Sequence, residues 1–378
     1  MELKIFSFFS GAGFLDLGFE HESYEIVFVN EINESFLKVY KYAREKMNYN
    51  EPALGYHDCD INDFLKGTKK NLLSNYIETY KENSLVGFIG GPPCPDFSVA
   101  GKNKGITGNS GKLTNSYKRI ILQQQPDFFL FENVKGLWAT KKHREEYERL
   151  KKSFLRKGYI MTEKLVNSLE YGVAQDRERI ILIGVHRDIC CEGLKSMKEK
   201  LRSFNWGNKE KYSLEIIKRC SWPEQDIFLE DIPKECPVGV IKELTIEHWF
   251  EKNDVYNHPN AIDFFIPRQG KIKMETISEG DVSRKSYKRL HRWRYSPTVA
   301  YGNNEVHLHP YKSRRLSVAE ALSLQSVPRE YIVNPNLPLT VKFKTIGNGV
   351  PYLMSKGIAG QLRKFLNEYV DIDKVKGR

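Results

Sequence analysis

Short apolar runs alternate with longer amphipathic stretches through the first half of the chain. Residues 5–9, 25–29, 85–89 and 128–131 are runs rich in Ile, Val, Leu and Phe, the composition of strands buried on both faces of a parallel sheet. Between them, 15–22, 36–47, 117–124 and 144–157 carry apolar residues at helical spacing. This alternation predicts a doubly wound α/β domain. Residues 159–167 and 179–186 flank a short link and are expected to pair antiparallel at the sheet edge. From about 187 to 295 the pattern dissolves into a charged, irregular segment with prolines at 223, 233, 237, 259 and 267, which predicts a second, smaller domain. Near the end, Ile346-Gly347-Asn348-Gly349-Val350-Pro351 leads into a helical run over 352–369, with Pro351 suited to its first turn. That helix is expected to pack back on the first domain. The large domain then comprises 1–186 and 340–378, and the small one 187–339. No internal repeat is visible.

Composition narrows the class. The chain has 378 residues, 40% of them hydrophobic and 28% charged, as expected of a soluble globular protein. No apolar run approaches the roughly 18 residues a membrane helix needs. The opening Met-Glu-Leu-Lys-Ile-Phe runs directly into a strand, so no signal peptide is expected. None of the six cysteines sits in a CxxC pair, so no metal site is expected, and scattered thiols suit a reducing cytoplasm. Net charge is +11. Between Arg284 and Arg315 nine Lys/Arg face one acid, Glu305, with Tyr287, Trp293, Tyr295, Tyr301 and Tyr311 interleaved. Such a stretch suits a polyphosphate backbone, and Arg289, Arg292, Arg294 and Arg315 are its candidate contacts; a solvated basic face is the plain alternative.

Several positions carry chemistry. Gly11 and Gly13 follow a strand and precede a helix, where a backbone without Cβ lets a nucleoside approach; a tight turn alone would also use them. Glu31 ends the next strand, where a carboxylate can accept two ribose hydroxyls. Asp60 either meets a ligand or caps the segment starting at Asn62. Cys94 lies in Gly-Gly-Pro-Pro-Cys-Pro, where flanking prolines restrict the backbone of a thiol. An inert buried cysteine would not call for that context. Residues 98–115 combine Gly101, Gly105, Gly108 and Gly111 with Lys102, Lys104 and Lys112, the composition of a phosphate-touching lid that begins at Ser98. Glu132 ends an apolar strand, and Asn133 is expected to hold the local turn. Arg177 and Arg179 offer two guanidinium groups, for which surface ion pairing is the alternative.

In order, Phe9-Ser10-Gly11-Ala12-Gly13-Phe14, Pro92-Pro93-Cys94, Glu132-Asn133-Val134, Gln175-x-Arg177-x-Arg179, Arg315-Leu316-Ser317 through Leu324-Gln325, and Gly347-Asn348-Gly349 resemble the DNA (cytosine-5)-methyltransferases of bacterial restriction-modification systems. Arg294-Tyr295-Ser296-Pro297-Thr298 belongs to the same resemblance, which covers roughly 3–186 and 294–360. It implies a Rossmann-like S-adenosylmethionine-dependent domain with a smaller, irregular target-recognition domain. It implies a cofactor pocket of Phe9, Gly11, Gly13, Phe14 against the adenosine, Glu31 on the ribose, Asp60 on the adenine amino group, Ile61 over the ring, and Pro93, Leu113, Asn348 and Val350. Cys94 would add to C6 of a cytosine flipped out of duplex DNA, so that C5 becomes nucleophilic. Glu132 would hydrogen-bond N3, while Arg177 and Arg179 contact O2 and orient the acid. Ser98, Lys102 and the arginines of the basic stretch would touch DNA. A monomer acting in the bacterial cytosol without a metal is expected.

Three departures stand out: Pro95 where glutamine is common, Ala174 where proline is, and Ala319-Glu320 where arginine-glutamate is. Spacing to Phe97 and Ser98 is kept. A transfer-RNA methyltransferase on the same scaffold remains open, since fold alone does not choose a substrate. A non-catalytic binding paralogue would be expected to lack the thiol or the acid, and both are present.

Overall fold

The computed structural model describes residues 2–93, 109–191, 204–206, 212–267, 270–284, 286–299, 301, 305–371 and 374–375. Seven strands form one sheet: β1 (Leu3–Phe8), β2 (Glu25–Asn30), β3 (Tyr56–His57), β4 (Leu85–Gly90), β5 (Phe128–Val134), β6 (Tyr159–Asn167) and β7 (Glu178–His186). Their order is β3-β2-β1-β4-β5-β7-β6. The first five run parallel. β7 inserts antiparallel between β5 and β6, which places the expected antiparallel pair at the sheet edge.

The period-two alternation of the strands sorts their side chains into two layers. Leu3, Ile5, Ile89, Phe128, Leu130, Ile181 and Ile183 face one side. Phe6, Phe8, Phe88, Phe129, Phe131, Ile180 and Leu182 face the other. The first layer is covered by α1 (Phe14–His21), α2 (Glu34–Lys46) and the C-terminal helix; the second by α3 (Gly67–Lys81), α4 (Asn109–Gln124) and α6 (Lys141–Arg156), which follows the short α5 (Lys135–Ala139). Each buried aromatic contributes roughly 2–3 kcal/mol through area removed from water. The doubly wound α/β reading therefore holds.

β3 and α3 escaped the sequence reading. β3 is two residues long, and α3 buries only Leu73 and Ile77, too thin a stripe to register as periodicity. The polar loop expected through residue 115 is helical from Asn109 onward, so Gly111, Lys112 and Leu113 sit on α4.

Beyond the sheet come α7 (Leu214–Arg219), α8 (Ile246–Lys252), α9 (Lys271–Glu275), α10 (Val318–Leu324), α11 (Leu339–Asn348) and α12 (Tyr352–Tyr369). Residues after 245 supply most of a third core cluster, in which Ile246, Phe250, Leu316, Leu322 and Phe343 pack with Ala12 of the glycine turn and with Phe14, Leu17, Val39 and Ala43 of the first two helices. Within 212–308, the smaller clusters centre on Ile217 with Leu244 and on Met274 with Ile277 and Leu308.

As expected, α12 packs back onto the sheet domain. Ser355 Oγ donates to Leu15 O at 2.6 Å, Tyr24 OH donates to Ala359 O at 3.0 Å, and Arg363 Nη1 donates to Glu22 O at 2.8 Å. Gly18 makes this approach possible, because a Cβ there would lie 2.5 Å from the Lys356 backbone nitrogen. Gly18→Ala should therefore destabilise the fold by about 1–3 kcal/mol through overpacking, despite the gain in helix propensity. Urea unfolding checks this; an unchanged or raised midpoint would mean the two helices yield without cost.

Candidate active site

The parallel strands end along one rim of the sheet. β1 is flanked by β2 on one side and β4 on the other, so the connections leaving it diverge and open a crevice at its carboxyl end. Phe9, Gly11 and Gly13 all take positive φ there, at 54°, 56° and 77°, which turns the chain sharply into α1. Gly13 must lack a Cβ for a second reason, since one would collide with the Tyr40 ring. At Gly11 a Cβ would meet nothing within 4 Å, so that face of the turn is open.

Glu31 closes the crevice from the end of β2. It is 8% exposed, and its oxygens accept from Gly11 N at 2.9 Å and Asn33 N at 2.8 Å. Burial raises its carboxyl above the ordinary range, opposed by the two amides. Ser10 Oγ is buried beside the turn with no partner among the described residues. Asp60 does cap the turn that follows, its Oδ1 accepting from Asn62 N at 2.8 Å. Ile61 is 3% exposed in the second core layer. Pro93 and Asn348 are exposed, Leu113 is half-buried and Val350 is buried.

One expected pocket residue is corrected. Phe14 is 1% exposed, packed edge-on to Tyr331 at 5.1 Å with Gly349 against its ring, so it is core. Phe9, half-buried and edge-on to Tyr117 at 6.1 Å, is the aromatic at the strand end. Tyr40 and Asp16 were not foreseen. Asp16 accepts from Ser7 Oγ and Tyr40 OH, both at 2.8 Å, and burial pushes its carboxyl up to about 6. The only sequence signal for Tyr40 is its place on the apolar face of α2 with Phe36 and Leu37.

The second half of the site lies on β4, β5 and β7. Gly90 pairs with Phe131, so the chain leaving β4 passes directly beside Glu132. A Cβ on Gly91 would lie 2.5 Å from Glu132 Oε2. Pro92 and Pro93 then lead to Cys94, which lies with Ser98 and Lys102 outside the described residues. Glu132 is 8% exposed, and Arg179 Nε stands 2.9 Å from its Oε1. Antiparallel pairing sets that contact, with Arg179 opposite Val134 and Ile181 opposite Glu132. Asn133 Oδ1 accepts from Val134 N at 2.8 Å, holding the turn as expected.

Arg177 plays a different part from Arg179. It is 2% exposed, and its Nη1 donates to Val299 O at 2.9 Å. Burial, then the neighbouring Arg179, holds its guanidinium well below the ordinary arginine range. Of the two arginines, Arg179 is the one that pairs with Glu132, while Arg177 is engaged by the Val299 carbonyl.

The basic stretch is also corrected. Arg289 is fully buried, donating to the backbone oxygens of Ile277, Met274, His309 and Lys312. Arg292 is 3% exposed and forms a two-pronged pair with Glu279 at 2.8 and 3.0 Å. Neither presents its charge to a phosphate. Arg284 pairs with Asp281, Lys312 with Asp231 and Arg314 with Glu320, so much of the charge counted along the sequence is answered internally. Arg294 and Arg315 are half-buried; Arg315 stacks near Tyr287 at 5.4 Å on the wall of a cavity of about 580 Å³.

Known proteins resemble this chain along nearly its whole length. The family description "C-5 cytosine-specific DNA methylase" matches residues 3–364. The Type II methyltransferase M.NmeDI of Neisseria meningitidis serogroup C is 50% identical over 374 residues, 99% of this chain and 86% of that one. The Type II methyltransferase M.NgoPII of Neisseria gonorrhoeae is 30% identical over 379 residues, covering 96% of each. Among solved structures, an E. coli prophage protein described as a DNA modification methyltransferase superposes with a TM-score of 0.65 at 20% identity, over 97% of this chain and 100% of its own. Entamoeba histolytica methyltransferase EhMeth gives 0.58 at 15% identity, over 97% and 98%. These two likenesses bear on the fold.

Burial of Arg292 yields a prediction. Arg292→Ala should cost about 3 kcal/mol of stability, because Glu279, 0% exposed, would lose its two-pronged partner and keep only Lys234 at 3.3 Å. Thermal unfolding tests it. If stability is kept while binding to a polyanion weakens, the side chain is a surface contact after all.

Proposed function

The chain belongs to the C-5 cytosine-specific DNA methylases, and we propose that it methylates a cytosine within a specific duplex sequence through a covalent Cys94 adduct. The coarser activity is not in question: it is a DNA (cytosine-5)-methyltransferase of the Type II restriction-modification kind, with S-adenosylmethionine as methyl donor. The family description and the 50% identical relative favour DNA over transfer RNA. The residues on the rim fit that cofactor. Gly11 offers an open face, Ser10 Oγ is a buried hydroxyl lacking a partner among the described residues, and the Glu31 oxygens retain lone pairs beyond the two amides they accept from. Glu31, Asp60, Gly11 and Phe9 would hold the nucleoside. When bound, S-adenosylmethionine supplies an electrophilic methyl group; the remaining tasks fall to the chain.

C5 of cytosine is a poor nucleophile. In the proposed course the base is flipped from the stack, since its C6 is unreachable within a duplex. The Cys94 thiolate bonds to C6, and the electron pair displaced from the C5–C6 double bond is drawn toward N3 and O2. Glu132 hydrogen-bonds N3 and meets that charge, while Arg179 holds the carboxyl in place and faces O2. C5, now part of an enamine, takes the methyl group. A base then removes the C5 proton, the double bond re-forms and the thiolate leaves. The observation that carries this reading is the Arg179–Glu132 pair at 2.9 Å beside Gly91, three residues before the thiol.

Arg294 and Arg315 remain the proposed backbone contacts from the basic stretch, joined by Ser98 and Lys102. We place the enzyme in the bacterial cytosol as a monomer acting without a metal.

A duplex library containing 5-fluorocytosine tests the chemistry. Fluorine at C5 cannot depart as a cation, so elimination is blocked and the protein should stay joined to its DNA after denaturation. The cross-link should need S-adenosylmethionine and an intact Cys94, and Glu132→Gln should slow it by about 100-fold or more, because an amide can hydrogen-bond N3 but cannot give it a proton. Efficient methylation of ordinary DNA without any cross-link would remove the C6 adduct.

The backbone beside the acid is equally testable. In Gly91→Ala the new methyl would displace the Glu132 carboxyl, and a shift near 1 Å costs on the order of 100-fold in turnover. Affinity for S-adenosylmethionine should hold within about 3-fold, since Glu31 and the glycine turn are untouched. Turnover kept at the wild-type level would mean that the approach of Gly91 to Glu132 has no catalytic consequence.

A further inference from the structure

Two glutamines from separate motifs are left without a role by the chemistry above. Gln175 opens the run that ends in Arg179, and Gln325 closes the segment that begins at Arg315. They lie 150 residues apart, yet Gln175 Nε2 donates to Gln325 Oε1 at 3.1 Å. Both are 0% exposed. Gln175 Nε2 also donates to Leu324 O at 3.0 Å, and Gln175 Oε1 accepts from Val299 N at 3.0 Å. Gln325 Nε2 in turn donates to Ile346 O at 2.7 Å, one residue before Gly347.

These amides sit inside a wider seam. Ser296 N donates to Ala174 O at 2.9 Å and Asp176 N donates to Ser296 O at 2.8 Å, a short parallel bridge between the two segments. Arg177 Nη1 donates to Val299 O, and Thr298 Oγ1 donates to Asp176 O at 2.7 Å. Residues 174–177 are therefore stitched along 296–299. One end of the seam lies two residues from Arg179, which holds Glu132. The other follows immediately on Arg292-Trp293-Arg294-Tyr295. An unmatched amide in a dry interior is costly, so this arrangement tolerates little slippage between the segments.

We infer that Gln175 is a positioning residue: through Val299, Leu324 and Gln325 it sets the register between the segment that carries Arg294, a proposed phosphate contact, and the Arg179–Glu132 pair. It touches neither substrate nor cofactor. Its loss leaves both binding sites built but displaces the arginine that aims the acid. The inference rests on the roles proposed for Glu132 and Arg179.

Two substitutions test it. Gln175→Leu keeps the volume and removes every hydrogen bond of the side chain. Its kcat for DNA methylation, per folded molecule, should fall about 100-fold while the KM for S-adenosylmethionine stays within about 3-fold. Gln175→Glu gives a readout that mere support of the fold would not move. Protonated, the new carboxyl still accepts from Val299 N and donates to Leu324 O or Gln325 Oε1. Ionised, it sets a charge against those two acceptors. The ratio of its kcat to that of wild type should therefore fall as pH rises, by about 10-fold or more between pH 6 and 9. A flat ratio overturns the inference, as does a Gln175→Leu enzyme within about 3-fold of wild type. A loss of cofactor affinity and of thermal stability with kcat intact would likewise make the seam structural only. Should Gln175→Leu not fold, the pH ratio of Gln175→Glu decides. Glu132→Gln is measured alongside: full turnover there would strike the chemistry, whereas full turnover in Gln175→Leu strikes only the positioning role.

Discussion

Parallel pairing of the first five strands is the constraint from which the site follows. Parallel strands deliver their carboxyl ends to a single rim, and the order β2-β1-β4 splits that rim at β1. The glycine turn leaves β1 there, Glu31 follows β2, the Gly91-Pro92-Pro93 approach leaves β4 and Glu132 stands near the end of β5. Each of these groups comes from a different stretch of chain, yet none needs a long loop to reach its neighbours. The antiparallel insertion of β7 adds what a purely parallel sheet would lack. Its amino end, not its carboxyl end, meets the same rim, and that brings Arg179 to Glu132.

Charge in this protein is used more for assembly than its composition suggests. Glu320, fully buried, is held far below the carboxylate range by His309 and Arg314 against the pull of burial. Arg292 and Glu279 form a second internal pair, and Arg289 gathers four backbone oxygens in the space beneath them. A buried guanidinium can bridge several segments because its donors are fixed in a plane and all point outward. In a region poor in helices and strands, such bridges do what a sheet does elsewhere.

How much was legible follows from this. All strands but the two-residue β3, and most helices of the sheet domain, were readable because burial on two faces imposes period two and period 3.6 on the sequence. Glu132 and Arg179, which the structure brings together, could be singled out because Glu-Asn-Val and Gln-x-Arg-x-Arg are local patterns. What escaped was contact between distant segments. Nothing in the sequence tells that Arg289 and Arg292 turn inward, since an arginine facing carbonyl oxygens and one facing phosphates look alike in a list of residues. Phe14 misled for the same reason: its neighbours Tyr331 and Gly349 lie more than 300 residues away. The pairing of Gln175 with Gln325 was equally invisible, although each had already stood out in its own motif.

The embrace of α1 by α12 reaches beyond the finished structure. Leu15 and Phe19 of α1 belong to the core layer that Met354, Ile358 and Leu362 complete. A ribosome working at roughly 5–20 residues per second needs about 17–70 s to travel from one helix to the other. For that interval the nascent sheet carries one greasy face without its lid, the state in which chains meet chaperones or one another. Folding to the active form therefore waits until α12 has been made, and a chain cut short before that helix would keep the same face bare.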